Sequence, residues 1–569
     1  MTPALAALCA FGAYALGYLV YSRFLAERVF RLDPDRQTPA HTLNDGVDYV
    51  PCRPGVLFGH HYASITGLAP MLGPAVAVIW GWLPALMWVV LGAIFVGCVH
   101  DFAALAVSVR SQGQSVGQVA MHVLGPRGRS LFHLIIFFGV ALAMGVFVLV
   151  IGQLFSIEMA GGAPGYPQAV LPSGILMIVA LISGVLLYRK GFALWKVASV
   201  GFAIELGGIW LGMRYPTIGL SPESWPTLDG WMAILLGYAF LASVMPVWAL
   251  LQSRDFLNSL LLYLGLGLAY LGLFVGQPEF VAPALRPDPE GAPPLLPFVF
   301  IVIACGAASG FHGLVSSGTT AKQLDRETHA RPIGYGGMIG ESLLGLLATL
   351  ACTAGLASSE LWDHTYSSWG AMSALANKIG AFIEGTTTFL TALGLSPGIS
   401  SALIAMVVVS FALTTLDSAT RLLRFNIEEI GASFRIPGSQ NRYASSLLAV
   451  GAIALFAYYK VDGKPAGLAL WALFGTTNQL LAGLTLTLVT LWLRQRGRTT
   501  WPTALPAIFM LTSTLIAMTD NLRTYAPGAA KDDKLLFGVG LALLVLGAWL
   551  LIESVLALRK APAVDSKAA

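Results

Sequence analysis

Runs of about twenty apolar residues recur along almost the whole chain, and no other feature constrains its fold as strongly. Broken by polar or Pro/Gly clusters, they lie near 4–23, 58–82, 83–109, 131–155, 171–189, 196–213, 231–251, 256–276, 295–317, 335–356, 399–422, 444–459, 468–493, 503–520 and 535–557. In hydrocarbon a backbone must satisfy its own hydrogen bonds, so runs of this length read as helices. The sequence predicts an all-α polytopic membrane protein of about fifteen transmembrane helices. Composition excludes the soluble alternative. Charged residues are 11% of 569 and hydrophobic residues 56%, where soluble proteins carry roughly 25% charge. A net charge of +4 argues against a nucleic-acid partner.

With the N-terminus outside, roughly three quarters of the 33 Lys and Arg residues fall on inner loops, as the positive-inside rule requires. The C-terminal tail, 559–569, is then cytoplasmic. The apolar stretch 5–21 lacks a basic leader and reads as a retained helix. Cys9, Cys52, Cys98, Cys305 and Cys352 form no CxxC pair, so neither a zinc site nor a disulfide framework is expected. No metal and no cofactor is expected. The longest connection, 357–398, falls outside, and its stretch 371–393 reads as an amphipathic surface helix or a lid.

Two spans carry interruptions. Gly67, Pro70, Gly73 and Pro74 lie mid-span in the second, and Ser243 and Pro246 near the middle of the seventh. Unwound backbone at membrane depth survives only where protein or a wet cavity covers it. The two spans lie five apart in the count, an odd offset that opposes their orientations. This predicts a LeuT-type core of two inverted five-helix units. The expected organisation is 1–57 as first helix and inner loop, 58–214 and 231–423 as the two repeats, 444–558 as additional helices, and the tail.

A charge at the centre of a membrane helix costs about 2.5–3.5 kcal/mol, so each one needs a reason. His60 and His61 open the first broken span and point about 100° apart on a helix. His100 and Asp101 stand in VHDF, and Asp101 is the leading candidate for a proton-carrying or substrate-facing carboxylate, or else a partner of Arg110. In the ninth span, Gly306 and Gly310 form a GxxxG that permits close helix contact. His312, Ser316, Ser317, Thr319 and Thr320 follow it and could supply oxygen ligands to a cation. Asp417 and Arg421 stand four apart on one face, the spacing of an internal ion pair. Arg254 and Asp255 form a similar pair. Glu205 and Glu341 read as lone carboxylates, and Asn478 and Gln479 as interhelical glue. No HExxH, GxSxG or P-loop suggests an enzyme.

Several long motifs of glycine and polar residues now stand together: NDGVDYVP, LFGHHYASITGLAPMLGP, VHDF, MPVWALLQSRDFL, IACGAASGFHGLVSSGTTAK, IGYGGMIGES, LDSATRLLRF and LFGTTNQLLAG. In these the chain resembles the carbon starvation protein A (CstA) family of bacterial inner-membrane transporters, from about residue 44 to 484. The resemblance implies uptake of small peptides or proton-coupled uptake of pyruvate, linked to nutrient limitation, and kinship with the five-plus-five fold.

The expected function is therefore a secondary importer of a small carboxylate-bearing nutrient, driven by protons, with sodium as the alternative ion. A membrane sensor on a transporter scaffold is the alternative class. The substrate is placed at Thr66, Gly67, Gly73 and Ser243, where a half-helix N-terminus offers amides. His60, His61, Asp101 and His312 are the proton-coupling candidates. Gly67, Ala69, Ser316, Ser317, Thr319 and Thr320 form the cation site if sodium is used. Arg254, Asp255, Asp417 and Arg421 are gate or structural ion pairs.

Overall fold

The computed structural model describes residues 1–159, 162–461, 464–529 and 533–559. The expected tail from residue 560 onward lies outside them. The longer helices are α1 (Pro3–Val29), α2 (Pro54–Ile65), α3 (Ala69–Trp80), α4 (Trp82–Arg110), α5 (Pro126–Phe155), α6 (Pro167–Arg189), α7 (Leu194–Arg214), α8 (Leu228–Val244) and α9 (Leu251–Gly276). After these come α10 (Leu295–Val302), α11 (Ala304–Ala307), α12 (Gly310–Gly318), α13 (Glu327–Ala354), α14 (Leu375–Thr391), α15 (Pro397–Ser433), α16 (Arg442–Tyr458), α17 (Ala466–Gln495), α18 (Trp501–Tyr525) and α19 (Lys534–Arg559). Among the described residues, ten helices are long and apolar enough to cross a membrane, or eleven with the bent pair α2–α3 as one span. The longest extended pairing among them is the two-residue ladder of Lys460–Val461 with Lys464–Pro465.

Burial separates centre from rim. About nine tenths of the apolar window of α15 is buried inside the protein, against 28% for α1, α7 and α19. The 37-residue α15 is thus a central post, and the rim helices show apolar side chains to lipid. Many Ser and Thr hydroxyls in the buried helices donate to the carbonyl four residues back, as Thr349, Thr414 and Thr420 do. That satisfies them where no water reaches.

The first interruption lies where the sequence places it. α2 ends at Thr66 in an extended conformation, and α3 restarts at Ala69 with its axis turned by 47°. Pro70 sits in the first turn of α3, where a missing N–H costs nothing. The second interruption is not at Ser243 and Pro246. There α8 ends at Val244, and after a turn α9 begins at Leu251. Pro246 has no N–H to continue a helix. Arg421 donates to the carbonyls of Ala242 (2.8 Å) and Met245, which caps the end. The second interrupted segment is instead α10–α11–α12, with Ala308 and Ser309 extended between α11 and α12. The two breaks cross. A Cβ on Gly73 would lie 2.5 Å from the carbonyl oxygen of Val302, and one on Gly306 3.6 Å from Pro74.

α14 is not a helix lying on the lipid surface. It packs on α3, α9 and α13. Gly272 and Gly385 let backbones touch there, where a Cβ would strike the carbonyls of Phe389 and Ala351.

Candidate functional site

His60 and His61 both lie on α2, fully buried, and serve two different polar networks. Successive side chains on a helix diverge by about 100°, so neighbours face separate surroundings.

His61 belongs to a histidine–carboxylate cluster. Asp101 on α4 accepts from His100 Nδ1 at 2.8 Å and from His312 Nδ1 on α12 at 2.9 Å. The other nitrogen of His312 lies 3.1 Å from Glu341 Oε2 on α13, within ion-pair range but off the hydrogen-bonding direction. His312 therefore bridges two fully buried carboxylates. His61 Nδ1 meets Thr320 Oγ1 at 2.8 Å, and Gly337 on α13 leaves room for the ring. Neither the lone Glu341 nor the Asp101–Arg110 pair that the sequence allows is found, because Arg110 instead holds Glu327. The small residues of the ninth span explain the approach. Gly97 lies against the carbonyl of Ala307, so α4 and the broken segment touch through backbone. Asn478 then caps α12, its Oδ1 accepting from Phe311 N at 3.0 Å. No arginine or lysine touches this cluster among the described residues.

His60 belongs to an arginine-centred network. His60 Nδ1 donates to Asp255 Oδ2 at 2.6 Å, and Ser64 Oγ donates to the same oxygen at 3.3 Å. Arg254 donates from Nε to Asp255 Oδ1 at 3.0 Å and from Nη1 to Tyr238 at 2.6 Å. It also pairs directly with Asp417 on α15. The expected Asp417–Arg421 pair is therefore crossed over. Asp417 turns to Arg254 and Tyr238, while Arg421 turns to Asp48 at 2.8 Å and to the end of α8. Same-face spacing permits a pair but does not oblige one when a buried partner on another helix is nearer.

Asp48 lies in the segment before α2, outside the spans, and ties that segment to α15 and the end of α8. Arg424 lies 3.2 Å from it as well. Burial alone would raise the Asp48 carboxyl, but Arg421, Arg424 and Lys322 together hold it below its ordinary value. Val247 N donates to Val47 O at 3.0 Å and Cys52 N to Gln323 O at 3.0 Å, so the strap is bound on several sides.

The remaining expected site residues divide. At the first break, Gly67 faces Thr415 Oγ1 and Phe147. The side-chain oxygens of Thr66 and Thr415 are buried there without a partner. Gly73 is closed against the carbonyl of Val302. Ser243 meets Ser446 Oγ at 2.9 Å, away from that break. Ser317 and Thr319 turn to the carbonyls of Gly313 and Val315, and Thr320 turns to His61. The structure does not bring them to Gly67 and Ala69. The oxygen beside Gly67 is that of Thr415 on α15, a residue the sequence reading left out. The TT of LTTLDS is the signal that could have found it. Glu205 on α7 stands apart, both its oxygens buried without a partner.

A model of the family described as carbon starvation protein CstA matches residues 3–359 and 354–517. The chain is 31% identical to the peptide transporter CstA of Campylobacter jejuni, over 92% of this chain and 80% of that one. It is 33% identical to the peptide transporter CstA of Bacillus subtilis, over 85% and 83%. It is 32% identical to the pyruvate/proton symporter BtsT of Escherichia coli, over 89% and 80%. Among solved structures, the Eremococcus coleocola manganese transporter aligns over 91% of this chain and 99% of its own, at 13% identity and a TM-score of 0.47. MhsT bound to L-phenylalanine aligns over 88% and 98%, at 13% identity and 0.44. Both scores are too low to assign a fold.

Proposed function

The chain belongs to the carbon starvation protein CstA family, and from that premise we propose that it imports a small carboxylate-bearing nutrient by proton symport. Its relatives include peptide transporters and a pyruvate/proton symporter, and both substrates present a carboxylate. The observation that carries the proton assignment is His312 held between Asp101 and Glu341 in a fully buried site free of arginine. Buried ionisable groups at membrane depth mark ion pathways, and this one can change its charge by a single proton. His61 and His100 border it. His60 sits in the arginine network, so its part is structural.

The substrate carboxylate is assigned to the break at Thr66 and Gly67, opposite the N-terminus of α3, where amides and the helix dipole favour an anion. Gly73 and Ser243 lie outside that position in this conformation, with Gly73 under backbone and Ser243 bonded to Ser446.

The core fits two inverted units, each opening on a broken helix. The first runs from α2 to α7. The second opens at α10, not at residue 231, and closes on α17. Each broken span is followed by one spanning helix, then, after the shorter α14 in the second unit, by a long one (α5 of 30 residues, α15 of 37), then two more. The breaks lie seven spans apart in a count of about fifteen, an odd offset that still opposes them. The N-terminus is assigned outside and the C-terminus inside, on the bias of Lys and Arg.

A second reading, sodium coupling, rests on one observation. Thr66 and Thr415 offer unpartnered oxygens at the break, the ligand chemistry of a hard cation. One experiment separates the two. Labelled pyruvate and labelled dialanine are offered to proteoliposomes under a proton gradient, a sodium gradient or neither. Accumulation under the proton gradient alone is expected. Accumulation under sodium alone overturns the proton assignment. Accumulation under neither returns the chain to the sensor class.

A further inference from the structure

Arginines gather where the end of α1 meets the turn between α17 and α18. Two contacts fold these segments together. Arg498 Nη1 donates to the carbonyl of Phe30 and, at 3.4 Å, to that of Val29. Phe24 stacks on Trp501, with ring centroids 5.9 Å apart. Arg28 stands one helical turn beyond Phe24 and is exposed, and so is Arg31. Arg110 donates to the Arg31 carbonyl at 2.8 Å, which leaves the Arg31 guanidinium to the surface.

The positive charge of this face is left over. Glu327 is the carboxylate that acts on Arg498, and it is already held by Arg110 and, at 3.2 Å, by Arg36. Glu27 pairs with Arg23, and Asp33 Oδ1 accepts from the Asp35 amide at 3.0 Å. Among the described residues, Arg28, Arg31 and Arg498 have no carboxylate in ion-pair contact. Partial burial and the like charges of Arg110, Arg31 and Arg496 press the Arg498 guanidinium down to about 10. A topology signal needs arginines only on the correct side of the membrane. It does not need Arg498 folded back onto the end of α1, among others of its own sign. Guanidiniums that converge without a counter-charge suit a phosphate, whose oxygens match their forked donors.

An apolar surface adjoins the arginines. A run of rings, Phe95–Tyr21–Phe24–Trp501, crosses from α4 over α1 to α18, with centroids 5.6, 6.2 and 5.9 Å apart. Phe95 and Trp501 are each half exposed, and Leu505, one turn along α18 from Trp501, is more exposed still. An indole between charged and apolar surface is placed as at a membrane interface.

We propose that Arg28, Arg31 and Arg498 bind the phosphate of an anionic phospholipid of the inner leaflet, whose acyl chains lie along the ring run and Leu505. Basic pockets between membrane helices on the inner side hold such headgroups. The site rests on the orientation assigned above and is independent of proton symport.

The test is thermal unfolding of the full chain in a neutral detergent, titrated with dioctanoyl phosphatidylglycerol, dioctanoyl phosphatidylcholine or inorganic phosphate. Phosphatidylglycerol is expected to raise the midpoint by about 4 °C or more, and the other two by about 1 °C or less. In the double variant Arg28→Gln with Arg31→Gln, which keeps the Arg498 contacts, that rise is expected to fall by about half or more. A control, Arg189→Gln with Lys190→Gln, removes two exposed charges from the inner end of α6 and should keep the full rise. No rise with phosphatidylglycerol, an equal rise with phosphatidylcholine or phosphate, an undiminished rise in the double variant or the same fall in the control overturns the site. Should the double variant not purify folded, cross-linking of the unmodified protein by a photoactivatable phosphatidylglycerol decides. Adducts confined to 20–31 and 494–508 support the site, and adducts spread around the rim helices overturn it.

Discussion

The networks around His60 and His61 begin one residue apart, yet they are built from opposite kinds of charge. The His60 side is organised by Arg254, whose guanidinium stays protonated at any accessible pH. Two aspartates and Tyr238 converge on it, tying α2, α8, α9 and α15 together. The charged groups of the His61 side, among the described residues, are histidines and carboxylates, with the Thr320 hydroxyl on His61. One proton changes its charge, and the groups can share it. The first arrangement suits a lock that holds helices in register, and the second suits a carrier. Burial alone does not separate them, since the principal side chains of both are fully buried. What differs is whether the counter-charge can leave.

The sharpest way to break this comparison is to remove the bridge. In the His312→Gln variant, accumulation under a proton gradient is expected to fall about a hundredfold or more. Its carboxylates can stay protonated, so a smaller loss of thermal stability is expected than in the lock. Uptake near the unmodified rate would show the cluster to be packing. In the lock, Arg254→Met leaves Asp255 and Asp417 without their counter-charge, and a loss of about 3–5 kcal/mol is expected from unfolding in detergent. Adding Asp417→Asn should recover part of that loss. If Arg254→Met unfolds with the unmodified protein and only transport suffers, the two roles must be exchanged.

The strap offers a milder test with a defined pH dependence. Asp48 releases its proton more readily in the folded chain than in the unfolded one. Its contribution is therefore complete above the unfolded carboxylate range and is lost as pH falls through the folded value. Asp48→Asn should cost about 1–2 kcal/mol near neutral pH. The gap between the two proteins should close on acidification below about pH 4. A gap that widens on acidification would contradict the pairing with Arg421 and Arg424. The smallest effect is expected at Glu205, which touches neither network. Glu205→Gln should leave uptake within about twofold, and a larger loss would place a further ionisable group on the pathway.

Much of this was legible in the sequence, for a physical reason. Apolar run length and the proline and glycine cluster at 67–74 depend on local backbone chemistry, so the helices and the first break emerge directly. Pro246 misled because a proline that ends a helix and one that unwinds a span look alike until the next helix is placed. The true second break, at Ala308 and Ser309, carries no proline. Its small residues read as close packing, which is also true of Gly306 and Gly310. Asp101, His61 and His312 were visible as charges inside apolar runs. Their partnership with Glu341, some thirty residues further on, was not. Pairing across helices depends on rotation about each axis, which spacing does not encode. The same limit explains Asp417 and Arg421, on one face yet pointed at different partners.

The most direct measurement of the central distinction follows protons and substrate together. Proteoliposomes carrying a pH-sensitive dye inside are given substrate outside, with no imposed gradient. In the unmodified protein, substrate entry is expected to acidify the interior. In Asp101→Asn that acidification is expected to be absent, while the unfolding temperature remains close to that of the unmodified protein. Acidification of equal size in Asp101→Asn would contradict the assignment, because protons would then be crossing without the cluster.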